Sequence, residues 1–113
     1  HGLPGATHLA YDATTDDPAA LAASLPNALH GLVYAPGTIN LKPFARLTDD
    51  DFRHDFEVSV LGAARAIRAL LPQLKRAEGA SVVLFSTVAA AVGMPFHASV
   101  AAAKRAVEGL AIS

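Results

Sequence analysis

The sequence predicts an α/β domain built on a parallel sheet, and three observations carry that expectation. Apolar runs of strand length alternate along the chain with segments of helical periodicity, in the order β-α-β-α-β-α. Two of those runs, within "HGLVYAPG" (His30 to Gly37) and "ASVVLFST" (Ala80 to Thr87), are continuous rather than alternating, as strands covered on both faces require. Between them lies one long amphipathic helix, the length of connection that parallel strands need and hairpins do not.

In chain order, "THLAYD" (Thr7 to Asp12) is a strand candidate ending in an acidic residue. "DDPAALAASLP" reads as a helix: Asp16 or Asp17 caps it, Pro18 suits the first turn, and Leu21 and Leu25 share a face. The His30–Gly37 strand runs into a turn marked by Pro36 and Gly37, and "TINLKPFARL" is a loop in which Pro43 opposes regular structure. Thr48 with Asp51 makes a capping-box-like start, after which Phe52, Phe56, Val60, Ala63, Ile67, Leu70 and Leu74 recur at helical spacing. Lys75 and Arg76 suit its last turn and Gly79 its stop. The strand at Ala80 to Thr87 leads through "VAAAVGMP" to a final helix starting near His97.

Composition narrows the function. At 113 residues the chain fits one core, and 52% hydrophobic against 17% charged residues marks it as packed rather than disordered. Nine Lys and Arg against ten Asp and Glu leave no basic stripe for nucleic acid. The absence of cysteine rules out disulfides and thiolate-bound zinc, and suits a cytoplasmic protein. No metal site is expected. Apolar runs such as "VVLF" fall far short of the roughly 18 residues of a membrane span, and "HGLPGATHLAYD" has no signal-peptide pattern.

One stretch raises a chemical question. In "FHASVAAAKRAVEGL", Lys104 stands one helical turn beyond Val100 on the same face. Taken with the turn "YAPG" (Tyr34 to Gly37), Ser59 three residues before Gly62 in "FEVSVLGAARAI", and Ser86–Thr87 at the end of a strand, the ordered spacing resembles the short-chain dehydrogenase/reductase family. The resemblance covers essentially all of the chain. It implies a Rossmann-like doubly wound parallel sheet with the family's strands 3, 4 and 5 present, residues 1–113 being the central portion of a single dinucleotide-binding domain.

Carried over position by position, the resemblance implies that "YAPG" replaces the family's Asn-Asn-Ala-Gly turn, so that Tyr34, Ala35, Pro36 and Gly37 border the cofactor. Asp12, with Ala13 beside it, matches the acidic residue that contacts adenine. Ser59 occupies the place of the catalytic Asn, Thr87 that of the Ser that orients the substrate carbonyl, and Lys104 that of the Lys that binds the nicotinamide ribose and lowers the pKa of the catalytic Tyr. Val100 stands where that Tyr belongs, and it has no ionisable proton. Hydride transfer to a carbonyl leaves negative charge on oxygen that an acid must quench. His97, three residues earlier, is a candidate replacement because its pKa suits proton transfer near neutrality. Each assignment has a plainer reading: His97 as a helix-start residue, Tyr34 as a packed aromatic, Thr87 as a strand-end hydroxyl, Lys104 as a solvated lysine, and Asp12 as a loop cap.

The expected function is NAD- or NADP-dependent oxidoreduction of a small-molecule carbonyl or alcohol at an atypical active site. The alternative is a catalytically inactive relative that binds the dinucleotide or serves as a structural subunit. No glycine-rich phosphate loop occurs, and in strand order 3-2-1-4-5-6 the first candidate strand lacks both neighbours. That predicts either a longer parent protein or a new partner for Thr7 to Asp12. The resemblance further implies a homodimer or homotetramer through the helices at 49–78 and 97–113, with Phe52, Phe56 and Ile67 on one face of the first and Ala63, Ala64 and Ala66 allowing close approach.

Overall fold

A computed structural model describes residues 4–113. Helix α1 (Pro18–Ala23) opens with the Asp17 carboxylate accepting from the Ala19 amide at 2.9 Å, the cap that the sequence indicates. Strand β1 (Gly31–Tyr34) pairs in parallel with β2 (Ser81–Leu84), Gly31 opposite Ser81 and Tyr34 opposite Leu84. The connection between them is one helical rod made of α2 (Asp49–Phe56), a π-helical segment (Glu57–Leu61) and α3 (Gly62–Arg76). A short helix α4 (Ala89–Val92) lies in the glycine- and proline-containing link after β2, and α5 (Ala98–Ile112) follows it.

The predicted strand at Thr7 to Asp12 does not form, so two strands and not three make up the sheet among the described residues. Its backbone has no adjacent strand to bond, and an unpaired strand gains nothing to offset the desolvation of its amides and carbonyls. The turn that follows is ordered by side chains instead: Asp12 Oδ1 accepts from the Thr14 amide at 2.9 Å and the Thr14 hydroxyl at 2.7 Å.

The rod begins with the capping box that Thr48 and Asp51 suggest. Asp51 also receives Lys42 Nζ at 3.0 Å and Asn40 Nδ2 at 3.1 Å, which ties the loop after β1 to the start of α2. Donation first from the Thr48 backbone, then from Lys42 and Asn40, holds the Asp51 carboxyl well below the usual carboxylate range. A depressed folded-state value stabilises the protein above the unfolded value of roughly 4 and is lost as pH falls toward the folded one. Thermal melts taken from pH 6 downward are therefore expected to decline through the acid range, and Asp51→Asn to flatten that decline.

Inside the rod, the π-helical segment inserts one residue and turns everything before it by about 100° relative to a straight helix. This corrects the single stripe expected from spacing. Val60, Ala63, Leu70 and Leu74 are buried as that stripe requires, but upstream the buried positions are Asp55, Val58 and Ser59. Phe52 and Phe56 turn instead toward α5, and Phe56 is 41% exposed. Ile67 borders a different groove, beside Val82, Val83 and Leu84. The three thus do not share a face. Ala63 and Ala66 pack under Tyr34 in this chain's own core, and there the small residues admit the sheet.

Helix α1 is fastened to the rod by Gln73, whose Nε2 donates to the carbonyls of Ala22 at 2.9 Å and Pro26 at 3.1 Å. Helix α5 packs across α2 and the π-helical segment, burying Ser99, Val100, Ala103 and Val107. Gly79 adopts φ +73° just past the rod, the left-handed conformation that a helix stop favours.

Candidate functional site

Both strands end on the same side of the sheet, and there the side chain of Lys104 spans the gap. Its Nζ donates to the Phe85 carbonyl at 3.1 Å, just beyond β2. A Cβ added at Gly37, just beyond β1, would stand 3.7 Å from the same nitrogen. One ammonium group therefore faces the carboxyl ends of both strands, where open α/β sheets bind ligands.

Helix α5 is pinned in that position by the strand end itself. The Ser86 hydroxyl bonds the Glu108 carboxylate at 2.5 Å and lies 3.4 Å from the Lys104 carbonyl oxygen. Thr87, next in sequence, accepts from the Ala89 amide at 3.3 Å and so starts α4. Its hydroxyl hydrogen is not consumed by that bond, because an oxygen that accepts from an amide still has its own proton to donate. Val100 is buried, 8% exposed, one turn before Lys104.

His97 caps the start of α5 without a side-chain bond to the helix. Its Nδ1 instead lies 2.6 Å from the Pro95 carbonyl. A carbonyl only accepts, so Nδ1 carries the proton and Nε2 is the nitrogen left for exchange. The preceding Phe96 has φ +65°, a strained conformation for a residue with a Cβ, and its carbonyl accepts from the Lys42 amide at 3.2 Å.

Tyr34 faces inward. It is 8% exposed, and its hydroxyl donates to the Val58 carbonyl in the π-helical segment. Burial pushes its phenol up to about 12. Gly62 makes this approach possible, because a Cβ there would overlap the phenol oxygen and come within 3.2 Å of Tyr34 Cζ. Ser59, beside Val58, is 3% exposed.

A cleft of about 410 Å³ opens between the Asp12 turn and the rod, lined by Tyr11, Asp12, Ala13, Thr14, Pro36, His54 and Val58. It brings together Asp12, Ala13 and Pro36 from two distant stretches of sequence. Ala35, beside Pro36, is exposed. The Asp12 carboxyl is held below its ordinary value chiefly by the Thr14 hydroxyl, so it is an anion at neutral pH. Sequence reasoning missed His54 and Thr14, and named Gly62 only for its place in the family pattern, not for its approach to Tyr34. The Asp-x-Thr spacing was a visible signal for Thr14, whereas His54 and Gly62 gain their places only from the packing of the rod.

A family model of the short chain dehydrogenases matches residues 5–113. The chain belongs to that family. Human 17-beta-hydroxysteroid dehydrogenase type 1 is 34% identical over 79 residues, 70% of this chain and 24% of that protein. The mouse enzyme of the same name is 41% identical over 54 residues, 48% of this chain and 16% of its own. Among solved structures, a short-chain dehydrogenase from Streptomyces avermitilis superposes with TM-score 0.82 at 29% identity, covering 92% of this chain and 40% of that one. A protein classed as a short chain dehydrogenase from Escherichia coli CFT073, solved in complex with NADPH, gives TM-score 0.80 at 25% identity over 88% of this chain and 45% of that one. The short-chain dehydrogenase chain thus spans less than half the length of each of these relatives. Among its described residues, no helix is long and apolar enough to cross a membrane.

Proposed function

We propose that the protein is an NAD(P)-dependent oxidoreductase that interconverts a carbonyl and an alcohol, with its proton donor displaced from position 100. The observation that carries this reading is the Lys104 ammonium standing at both strand ends, 3.1 Å from the Phe85 carbonyl and facing Gly37. A cationic donor there meets ribose hydroxyls, and the cleft joining Asp12, Ala13 and Pro36 offers an anion and apolar walls at the other end of a dinucleotide. When bound, the nicotinamide ring supplies or accepts the hydride. Lys104 holds its ribose, and the Thr87 hydroxyl donates to the substrate oxygen. Buried Ser59 takes the place of a water-holding amide. His97, with Nδ1 fixed on Pro95, delivers the proton from Nε2 as an imidazolium.

The similarity to hydroxysteroid dehydrogenases favours an apolar ketone or secondary alcohol as substrate. Exposed Phe44, Val88, Met94 and Phe96 in the loops after the two strands support the same reading. Pairing of two copies through the groove between α2 and α5 belongs to the proposal as well, supported by the exposure there of Phe56 (41%) and Leu61 (37%).

A second reading, an inactive dinucleotide-binding relative, draws on the buried and chemically inert Val100. Two variants of the full-length protein separate them on a panel of ketones with NADH and NADPH. With a displaced acid, Val100→Tyr loses activity on the order of 10- to 100-fold by crowding the site. His97→Ala loses about 100-fold or more in kcat with unchanged dinucleotide affinity. Turnover gained by Val100→Tyr from an inert parent establishes the second reading instead. Binding of neither dinucleotide removes both.

A further inference from the structure

The cleft beside Asp12 contains a residue that the family resemblance does not assign. His54 sits in the last turn of α2, exposed, and among the described residues its ring has no hydrogen-bond or ion-pair partner. It borders the same cleft as Asp12 and Thr14, whose polar groups come from the turn on the opposite side of the chain, while Ala13, Pro36 and Val58 supply apolar wall. A flat heteroaromatic ring needs such a setting: apolar surface for its faces, an acceptor for an exocyclic amine, and a planar partner to stack on. At about 410 Å³ the cleft is within the size range of small-molecule sites.

We propose that His54 is a base-contacting residue that holds the purine of the dinucleotide, opposite the Asp12 carboxylate. The inference rests on the dinucleotide-binding reading above and adds to it the residue that grips the adenosine half. Position 54 lies on the rod and Asp12 on the loop that replaces a strand, so a purine lodged between them also joins two parts of the chain that few bonds connect. Base–aromatic stacking predicts the size of the effect, a loss of about 5- to 100-fold in affinity when the ring is removed.

The test measures, in the full-length protein, the affinity of NADH, NADPH, AMP and reduced nicotinamide mononucleotide, which lacks the adenosine half. His54→Ala is expected to weaken NADH, NADPH and AMP by that factor and to leave the mononucleotide unchanged. His54→Phe, which keeps a planar ring, is expected to retain affinity within about threefold. Wild-type protein that binds NADH while His54→Ala binds it and AMP equally well overturns the assignment and leaves the dinucleotide reading intact. Equal weakening of the mononucleotide also overturns it, since His54 then acts through the fold. Binding of AMP that depends on His54, without binding of either dinucleotide, upholds the base site and sinks the dinucleotide reading. Binding of none of the four overturns both.

Discussion

Gly62→Ala is expected to be among the most damaging single methyl additions to this chain. The new Cβ overlaps the Tyr34 hydroxyl and lies 3.2 Å from Cζ, and Tyr34 is a rigid ring enclosed by Ala63 and Ala66. Relief requires Tyr34 to give up its hydrogen bond to the Val58 carbonyl in the π-helical segment. Overpacking costs about 1–3 kcal/mol, and the lost hydrogen bond adds about 1 kcal/mol. In a domain of about 100 residues each kcal/mol lowers Tm by roughly 4–8 °C. Tyr34→Phe removes the overlapping oxygen, so the double variant is expected to be less destabilised than the sum of the two singles. A sum that is simply additive would show that the two residues do not meet. The phenol supplies an independent check through its pH dependence. With a folded-state value of about 12 against 10 unfolded, the neutral phenol stabilises the fold below pH 10, and that contribution is lost as pH rises toward 12. Burial raises the Tyr11 phenol as well, so an ultraviolet titration is expected to show both tyrosinates forming above the ordinary range, Tyr34 the later of the two, and Tyr34→Phe to remove that later step.

Lys104→Met is expected to have the largest effect on binding. Methionine preserves the length and apolar stem of the side chain while removing the charge at the strand ends. Hydrogen bonds from charged donors contribute about 1.5–3 kcal/mol, so the affinity for NADH and NADPH should fall about 10- to 100-fold. The Lys104–Phe85 bond is exposed, and Tm should change little. That contrast separates a ligand-binding lysine from a structural one. A variant that melts much earlier and yet binds dinucleotide normally would assign Lys104 to the fold alone.

How much of this was legible in the residues follows from the range of the interactions involved. The helical rod was plain, because periodicity and a capping box are local. The π-helical insertion was not, since Phe52, Phe56 and Val60 satisfy helical spacing whether or not the helix is straight. Only the packing of α5 against the rod distinguishes the two. The parallel pairing of β1 and β2 follows from their continuous apolar character and the helix between them. The strand at Thr7 to Asp12 failed because strand propensity is a claim about neighbours that the residues themselves do not contain. Lys104 could be placed from its spacing to Val100. Tyr34 lies in the turn that the resemblance assigns to the cofactor, and its inward orientation depends on Gly62, twenty-eight positions later. His54 gave no signal at all, because its place beside Asp12 is set by how the rod crosses the start of the chain.

The pair of strands described above has a bearing on how the 113-residue polypeptide behaves when made by itself. Val33 is 61% exposed, Val82 43% and Val83 44%, and among the described residues each strand has a single partner, so oily side chains sit beside backbone groups with no strand next to them. Such a surface is a template for indiscriminate pairing between molecules. Preparations of the isolated polypeptide should be sticky, concentration-limited and prone to light scattering on warming, and lysine placed at Val33 or Val83 should make them tractable.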